Sequence, residues 1–286
     1  MAVAIKRYTP PDSITALAKK LGVSRSALYY QPKLPAKDLA LKADIEKVMV
    51  KHQAYGHRRI AWELKVNKKR VKRVMRIFNL RVKRKRKKPF KPQDQGQKPT
   101  TIPNLILGLT VDSPNQVWVS DFTYLPYFGK FVYLATVEDV FTRQVVGWAM
   151  STRHNADLVA LALLDAIISH PAPRIVHSDQ GSEYRDVNYL NLIKSLNIKP
   201  SMSAKASPWQ NGYQESFYSG FKLELGHPEI YADLGELYEA TARQIYYYNY
   251  CRIHTALKCP PVVFAQRLNC QNIKLINQEN PLRLSV

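Results

Sequence analysis

Acidic side chains are what this sequence is short of: 22 Asp+Glu stand against 43 Lys+Arg, a formal net charge of +21 over 286 residues. The shortage is uneven. Residues 1–110 hold 28 basic and 6 acidic side chains, whereas 111–286 hold 15 and 16. Such a division separates a polyanion-binding front from a nearly neutral rear. Cysteine is scarce too. Three (Cys251, Cys259 and Cys270), odd in number and clustered late, argue against a disulfide framework. With His254 they spell Cys-x2-His-x4-Cys-x10-Cys, but no second pair sits at finger spacing, so a zinc site is not expected. No run reaches the length of about 18 apolar residues that a membrane span needs. The opening MAVAIKRYTPPDS has no apolar core of signal-peptide length, so the expected compartment is the cytoplasm. The length predicts two or three domains, at about 100–200 residues each.

In the front, SITALAKKLGVSRSALYY places Ile14, Leu17, Ala18 and Leu21 on one helical face. Gly22 stops that helix and Ser24 caps another, the layout of a helix-turn-helix or of an ordinary helical hairpin. Ser24, Arg25, Ser26 and Tyr29 on the second helix are short polar and basic groups suited to a major groove. Three further helices are predicted at 38–52, 55–65 and 67–80, and Arg58 and Arg59 on the second of them are candidate DNA contacts. The last buries Val71, Val74, Met75 and Phe78, and carries Lys68, Lys69, Arg70, Lys72, Arg73 and Arg76 with no acid among them. A solvated face usually mixes signs, so this one is read as a DNA-contacting face. Arg81, Lys83, Arg84, Lys85, Arg86, Lys87 and Lys88 then open a Pro- and Gln-containing stretch that cannot bury enough surface to fold alone. It reads as a basic linker tracking phosphate, or as a localisation signal.

In the rear, NQVWVSDFTYLP, KFVYLATVED and RQVVGWAM read as three antiparallel strands, with Phe128-Gly129 as the first turn. A helix over 156–168, a strand RIVHSD, a helix over 187–197, a short strand over 198–203 and a helix over 213–225 follow. That order is the order of the ribonuclease-H-like fold. It sets Asp121 in strand 1, Asp179 at the end of strand 4 and Glu215 in the first turn of the following helix, with strands 1 and 4 as neighbours. Taken alone, Asp179 in VHSDQGSEY is more readily read as capping its own turn or the next helix. Glu138 and Asp139 sit at a strand exit, where a turn-stabilising pair is expected, and Glu183 falls in a turn.

Several motifs then carry a resemblance. They are Trp118-x-x-Asp121-x-Thr123-Tyr124, His177-Ser178-Asp179-x-Gly181-Ser182-x-Tyr184 and Ser207-Pro208-x-x-Asn211-Gly212-x-x-Glu215-x-Phe217. Lys222 and Tyr248-Asn249-x-x-Arg252-x-His254-x-x-Leu257 follow them. Over roughly 38–265 the chain resembles the insertion-sequence three family of transposases, second-frame or fused product, whose DDE core is related to retroviral integrases. The resemblance implies an α/β ribonuclease-H-like core, a five-stranded mixed sheet with helices, preceded by all-α helix-turn-helix units. The expected division is 1–36, 37–80, a linker over 81–110, the core over 111–228 and a helical extension over 229–286.

The resemblance implies that Asp121, Asp179 and Glu215 are both the catalytic and the metal-binding residues. They would hold two Mg²⁺ ions, or Mn²⁺ in their place, because two-metal phosphoryl transfer needs hard oxygen ligands. Lys222, two helical turns beyond Glu215, would hold terminal phosphates, although spacing alone fits a surface lysine as well. Arg252 and His254 fit packing or DNA contact equally. The implied partners are double-stranded DNA, as the element's terminal inverted repeats and as target, and further copies of the chain in a synaptic complex. A first-frame protein is implied as well, because no heptad run follows the first helices. A bacterial, nucleoid-associated location is implied, with no membrane. An RNA–DNA hybrid nuclease would share the fold without needing two helical DNA-binding units. A non-enzymatic DNA-binding regulator would explain only the front half.

Overall fold

The computed structural model describes residues 14–28, 34–83, 102–203 and 212–268. Tyr29, Arg84, Lys85, Arg86, Lys87, Lys88, Ser207, Pro208, Asn211 and Cys270 lie outside the described residues.

Two short helices come first, α1 (Ile14–Lys20) and α2 (Arg25–Leu28). At Gly22, φ +64°, the Val23 amide turns back to Ala18 O at 3.1 Å and closes α1. The Ala27 amide donates to Ser24 Oγ at 3.3 Å. Among the described residues α2 is a single turn. A three-helix unit follows: α3 (Leu34–Lys51), α4 (His57–Glu63) and α5 (Lys68–Ile77). α3 starts earlier than the expected 38, since a proline is tolerated in a first helical turn. α5 is capped by Asn67, whose side chain accepts from the Lys69 amide at 2.8 Å. Leu41, Ile45 and Val48 of α3 meet Ile60, Val71 and Val74 in one buried cluster, which Ile253 joins from the far end of the chain.

The core is a five-stranded sheet ordered β3-β2-β1-β4-β5, from β1 (Val117–Tyr127), β2 (Lys130–Asp139), β3 (Val145–Ser151), β4 (Ile175–Ser178) and β5 (Lys199–Met202). The first three strands are antiparallel. β4 joins β1 in parallel and β5 joins β4 in parallel. Phe128 and Gly129 both take positive φ (+43° and +74°), the two-residue turn whose twist matches the β1–β2 hairpin.

Helices α6 (Ala156–Ser169) and α7 (Val187–Ser195) are the crossovers. Their Leu158, Ala162, Leu163 and Ile193 pack with Trp118, Val137 and Val176 in one core. A second core joins Leu125, Val132, Leu134 and Val145 of the sheet to α8 (Gly212–Leu225) and α9 (Leu234–Tyr246). α9 continues as a π-turn, Tyr247–Cys251. The sheet is therefore covered on both faces, which is why the first residues of β1 and the last of β2 are buried without alternation.

The approach of α6 to β3 is set by Gly147. A Cβ there would meet the Ala162 carbonyl, Ala166 N at 2.5 Å and Ala166 Cβ at 2.6 Å. Backbone cannot yield as a flexible side chain can. Gly147→Ala is expected to cost about 1–3 kcal/mol through overpacking, read as a lower urea midpoint with an unchanged slope.

Candidate active site

Asp121 lies in β1, whose parallel ladder with β4 runs from Val117 opposite Ile175 to Val119 opposite His177. Continuing that register sets Asp121 level with Asp179, one residue past the end of β4, on strands about 4.8 Å apart. Glu215 arrives on the first turn of α8. Its neighbour Gln214 is fully buried and donates from Nε2 to Val119 O at 2.8 Å, while its Oε1 accepts from Thr136 Oγ1 at 3.0 Å. One turn on, Tyr218 OH donates to Asp121 O at 2.6 Å and meets Thr136 Oγ1 at 2.8 Å. These two side chains rivet α8 across β1 and β2, leaving Glu215 exposed beside them. Neither Gln214 nor Tyr218 is among the residues expected from the sequence. Their signal was a pair of hydrogen-bonding side chains at i and i+4 on the apolar side of a helix.

The three carboxylates differ in surroundings. Asp121 is half-buried and accepts from the Phe122 amide at 2.8 Å. Burial first, and then the charge of Asp179 and that of Glu215, push its carboxyl up to about 7, against the pull of the Phe122 amide and Lys222. Asp179 is also pushed up, by burial and by the charge of Glu183, while the Gly181 amide donating at 2.9 Å opposes this. Glu183 is itself buried, against His154 at 2.9 Å and Ser182 Oγ at 3.0 Å. Asp121 thus feels both of the other acids through their charge. Among the described residues, however, no three His, Cys, Asp or Glu side chains close into a set that could hold a metal ion. The donors are all hard oxygens in mutual repulsion at a sheet edge, a set that suits Mg²⁺ or Mn²⁺ by chemistry and that a dication would relieve.

Lys222 donates to Tyr124 O at 2.9 Å and lies over the Tyr124 ring at 4.7 Å, within electrostatic reach of Asp121. Asp139 holds its turn by accepting from the Thr142 amide and hydroxyl at 2.6 and 2.8 Å. Glu138 does not share in that turn; it is buried.

The expected DNA contacts divide into two groups. Ser24, Arg25, Ser26, Arg58, Lys68, Lys69, Lys72, Arg76, Arg81 and Lys83 are exposed. Arg73 and Arg70 are not simply part of an acid-free face. Asp38 of α3 accepts from Arg73 at 2.6 and 2.8 Å and lies 3.9 Å from Arg70. The acid comes from another helix, so reading α5 alone missed it. Arg252 is buried and paired with Glu224 at 3.0 Å, which makes it a packing residue in this structure. Burial pushes His254 down to about 4, so it is neutral. Arg59 is half-buried and donates to Thr255 Oγ1 at 3.1 Å.

Sheet order, helices on both faces and carboxylates at the β1–β4 edge define a ribonuclease-H-like core of the integrase type, the architecture of a polynucleotidyl transferase. Two integrase core domain models match the chain, over residues 111–208 and 196–261. Among relatives, a transposase for insertion sequence element IS904 of Lactococcus lactis subsp. lactis is 36% identical, covering 76% of this chain and 89% of that one. The transposase InsF for insertion sequence IS3A of Escherichia coli K12 is 32% identical, over 79% and 84%. The putative transposase InsK for insertion sequence element IS150, also of Escherichia coli K12, is 30% identical, over 89% and 92%. The chain belongs to the insertion-sequence three family of transposases.

Solved structures with some likeness include the HTLV-2 integrase catalytic core domain in complex with magnesium (TM-score 0.45, 19% identity, 53% of this chain and 96% of that one). The BIV integrase catalytic core domain is another (TM-score 0.44, 18% identity, 55% and 99%). Among the described residues no helix is long and apolar enough to cross a membrane.

Proposed function

We propose that this transposase binds the terminal inverted repeats of its element through residues 1–110, frees a 3′-OH at an end and joins it to a target strand, with Asp121, Asp179 and Glu215 as catalytic ligands of two Mg²⁺ ions. The observation that carries the reading is the β1–β4 register, which brings Asp121 level with Asp179, together with α8, whose first turn brings Glu215 within charge reach of Asp121. A half-buried carboxyl between two others is costly unless a cation is shared among them. Bound there, the ions would supply Lewis-acid stabilisation of the attacking and leaving oxygens. The chain's own part is positional. β1 and β4 set two of the acids at one level, while Gln214 and Tyr218 hold α8 so that Glu215 stands beside them. Lys222, on the same helix and near Asp121, offers its ammonium to a terminal phosphate. Pairing two ends requires at least two copies of the chain.

The test is joining of labelled DNA carrying the sequences that flank the gene to a plasmid, in Mg²⁺. Joined product supports the proposal. Repeat binding with neither nicking nor joining, even after a first-frame protein is added, would sink it.

The exposed cations of α5 carry a second prediction. Lys72→Ala and Arg76→Ala should each weaken duplex binding on any sequence and flatten the slope of log affinity against log salt by about 1. Arg73→Ala should instead lower the melting temperature and leave that slope nearly unchanged, since its guanidinium is held by Asp38. Fluorescence anisotropy across a salt series, with a thermal melt, separates the two outcomes.

A further inference from the structure

Where α4, the β2–β3 turn, α8 and the segment after the π-turn meet, they enclose a cavity of about 590 Å³. Its wall carries Arg59, Arg143 and Arg252, with Glu138 and His254 between them. The elements come from all parts of the chain: the helical unit, the sheet, the helix that bears Glu215, and the C-terminal segment. Glu138 is 2% exposed, and its Oε2 has no hydrogen-bond partner. Arg59 Nε and His254 Nδ1 are likewise buried without partners. Buried polar atoms of native proteins are nearly always satisfied, so three orphaned groups around one cavity mark the place of a ligand or water. Glu138, whose carboxyl burial pushes up to about 8, can donate a proton to an anion there.

Two further observations narrow the ligand. Arg143 stands at φ +61°, in the left-handed region that disfavours a large side chain, inside a turn closed by its amide on Asp139 O at 2.8 Å. That backbone cost is met where a side chain must be placed, and this one lines the cavity within charge reach of Glu138. Glu224 balances one of the three guanidiniums, that of Arg252, and burial pushes the Glu138 carboxyl up to about 8, so the wall keeps at least one positive charge. Guanidinium forks match the geometry of a phosphate. The exposed side chains of Ser216, Thr255 and Ala256 belong to the same lining, so the cavity opens to solvent beside the residue that follows Glu215.

We propose that this cavity seats one backbone phosphate of the DNA strand held at the neighbouring acid cluster, gripped by Arg59 and Arg143. The inference rests on DNA being the substrate and adds a contact off the scissile phosphate. It also gives the helical unit, through Arg59, a hand in positioning DNA at the core.

The experiment uses the full chain and a set of flanking-repeat duplexes, each with one phosphate replaced by a neutral methylphosphonate. Affinity is the readout, so the answer does not depend on catalysis. In wild type, one position away from the scissile phosphate should weaken binding about tenfold, the order of one charge-assisted hydrogen bond. Arg59→Gln should lose about the same on unmodified DNA and then be indifferent to that replacement, while staying sensitive elsewhere. Arg143→Gln, made in parallel and checked by its melting temperature, should lose sensitivity at the same position. Additive losses at every position in a folded Arg59→Gln protein would overturn the proposal. So would thermal stabilisation by inorganic phosphate that Arg59→Gln abolishes without any coupling to a DNA position, because the cavity would then serve a free anion. Joining is measured on the same samples. A chain that binds but never joins refutes the catalytic reading, and the affinity comparison still decides the cavity.

Discussion

Glu215→Gln and Asp121→Asn are expected to reduce strand joining on the order of 10³-fold while changing repeat affinity by no more than about twofold, because several kcal/mol of transition-state charge stabilisation goes with a lost metal ligand. Both replacements keep shape and hydrogen-bonding capacity. The elements that carry them are fixed by other atoms: α8 through Gln214 and Tyr218, and β1 through its two ladders. A loss of joining therefore reports on the carboxylates and not on the scaffold. Equal joining by wild type and either variant would remove the acids from the mechanism.

The same residue predicts a pH signature in the metal-free protein. Asp121 titrates from a normal 3.8 up to about 7 in the fold, so the folded state holds its proton more tightly than the unfolded chain between those values. Stability is then fully present below the unfolded pKa and falls as pH rises through about 7. Asp121→Asn cannot charge, so it should melt higher than wild type at pH 8 and no differently at pH 3. Added Mg²⁺ at pH 8 should raise the wild-type melting temperature and leave that of the variant nearly unmoved. A variant that melts lower than wild type at pH 8 would contradict the strain assigned to this acid.

Much of this site was readable from the chain because strand topology turns local patterns into distant contacts. Asp121 and Asp179 each sit in a short apolar run, and once those runs are assigned to neighbouring parallel strands the two residues come level. The expected place of Glu215, in the first turn of its helix, is the place it takes in α8. Gln214 and Tyr218 were not readable, since a buried glutamine is recognisable only when Val119 O and Thr136 are known to lie opposite it. The charge pattern of α5 misled for a related reason. Helical periodicity shows which side chains share a face, but not that Asp38, on another helix, reaches across to Arg73. Glu138 was read as part of a turn because its neighbour Asp139 is. The β2–β3 ladder shifts register at Val137/Glu138, and only the fold shows that Glu138 lines a cavity while Asp139 holds the turn.

Arg252 supplies the other large effect. It follows a Tyr-rich helix in a segment whose motif fits DNA contact as well as packing, and the fold puts it inside. Its Nε donates to Glu224 Oε1 at 3.0 Å, its guanidinium lies 5.7 Å from the Tyr248 ring centre, and Gly220 leaves room beside it. Arg252→Ala would leave the Glu224 carboxylate buried with the Gln244 amide donating at 2.8 Å and the more distant charge of Arg59 to offset it. Breaking a buried pair in this way costs about 3–5 kcal/mol. Urea denaturation should show that loss. Glu224→Ala should lose a similar amount, and the double variant should lose less than the sum, because the second change removes the orphaned charge.

The loss should also spread beyond the core. The residues flanking Arg252 hold the helical unit in place: Ile253 N donates to Tyr55 OH at 2.6 Å, His52 Nδ1 meets Tyr247 OH at 2.7 Å, and Arg59 reaches Thr255. Below its melting point, Arg252→Ala should therefore make the helical unit easier to cut by protease within α3–α5 than in wild type, because the 252–255 segment that holds it has lost its anchor on α8. Unchanged cleavage with a lowered urea midpoint would confine the role of Arg252 to the core. Unchanged stability would return it to the surface, where the motif alone allowed it to be.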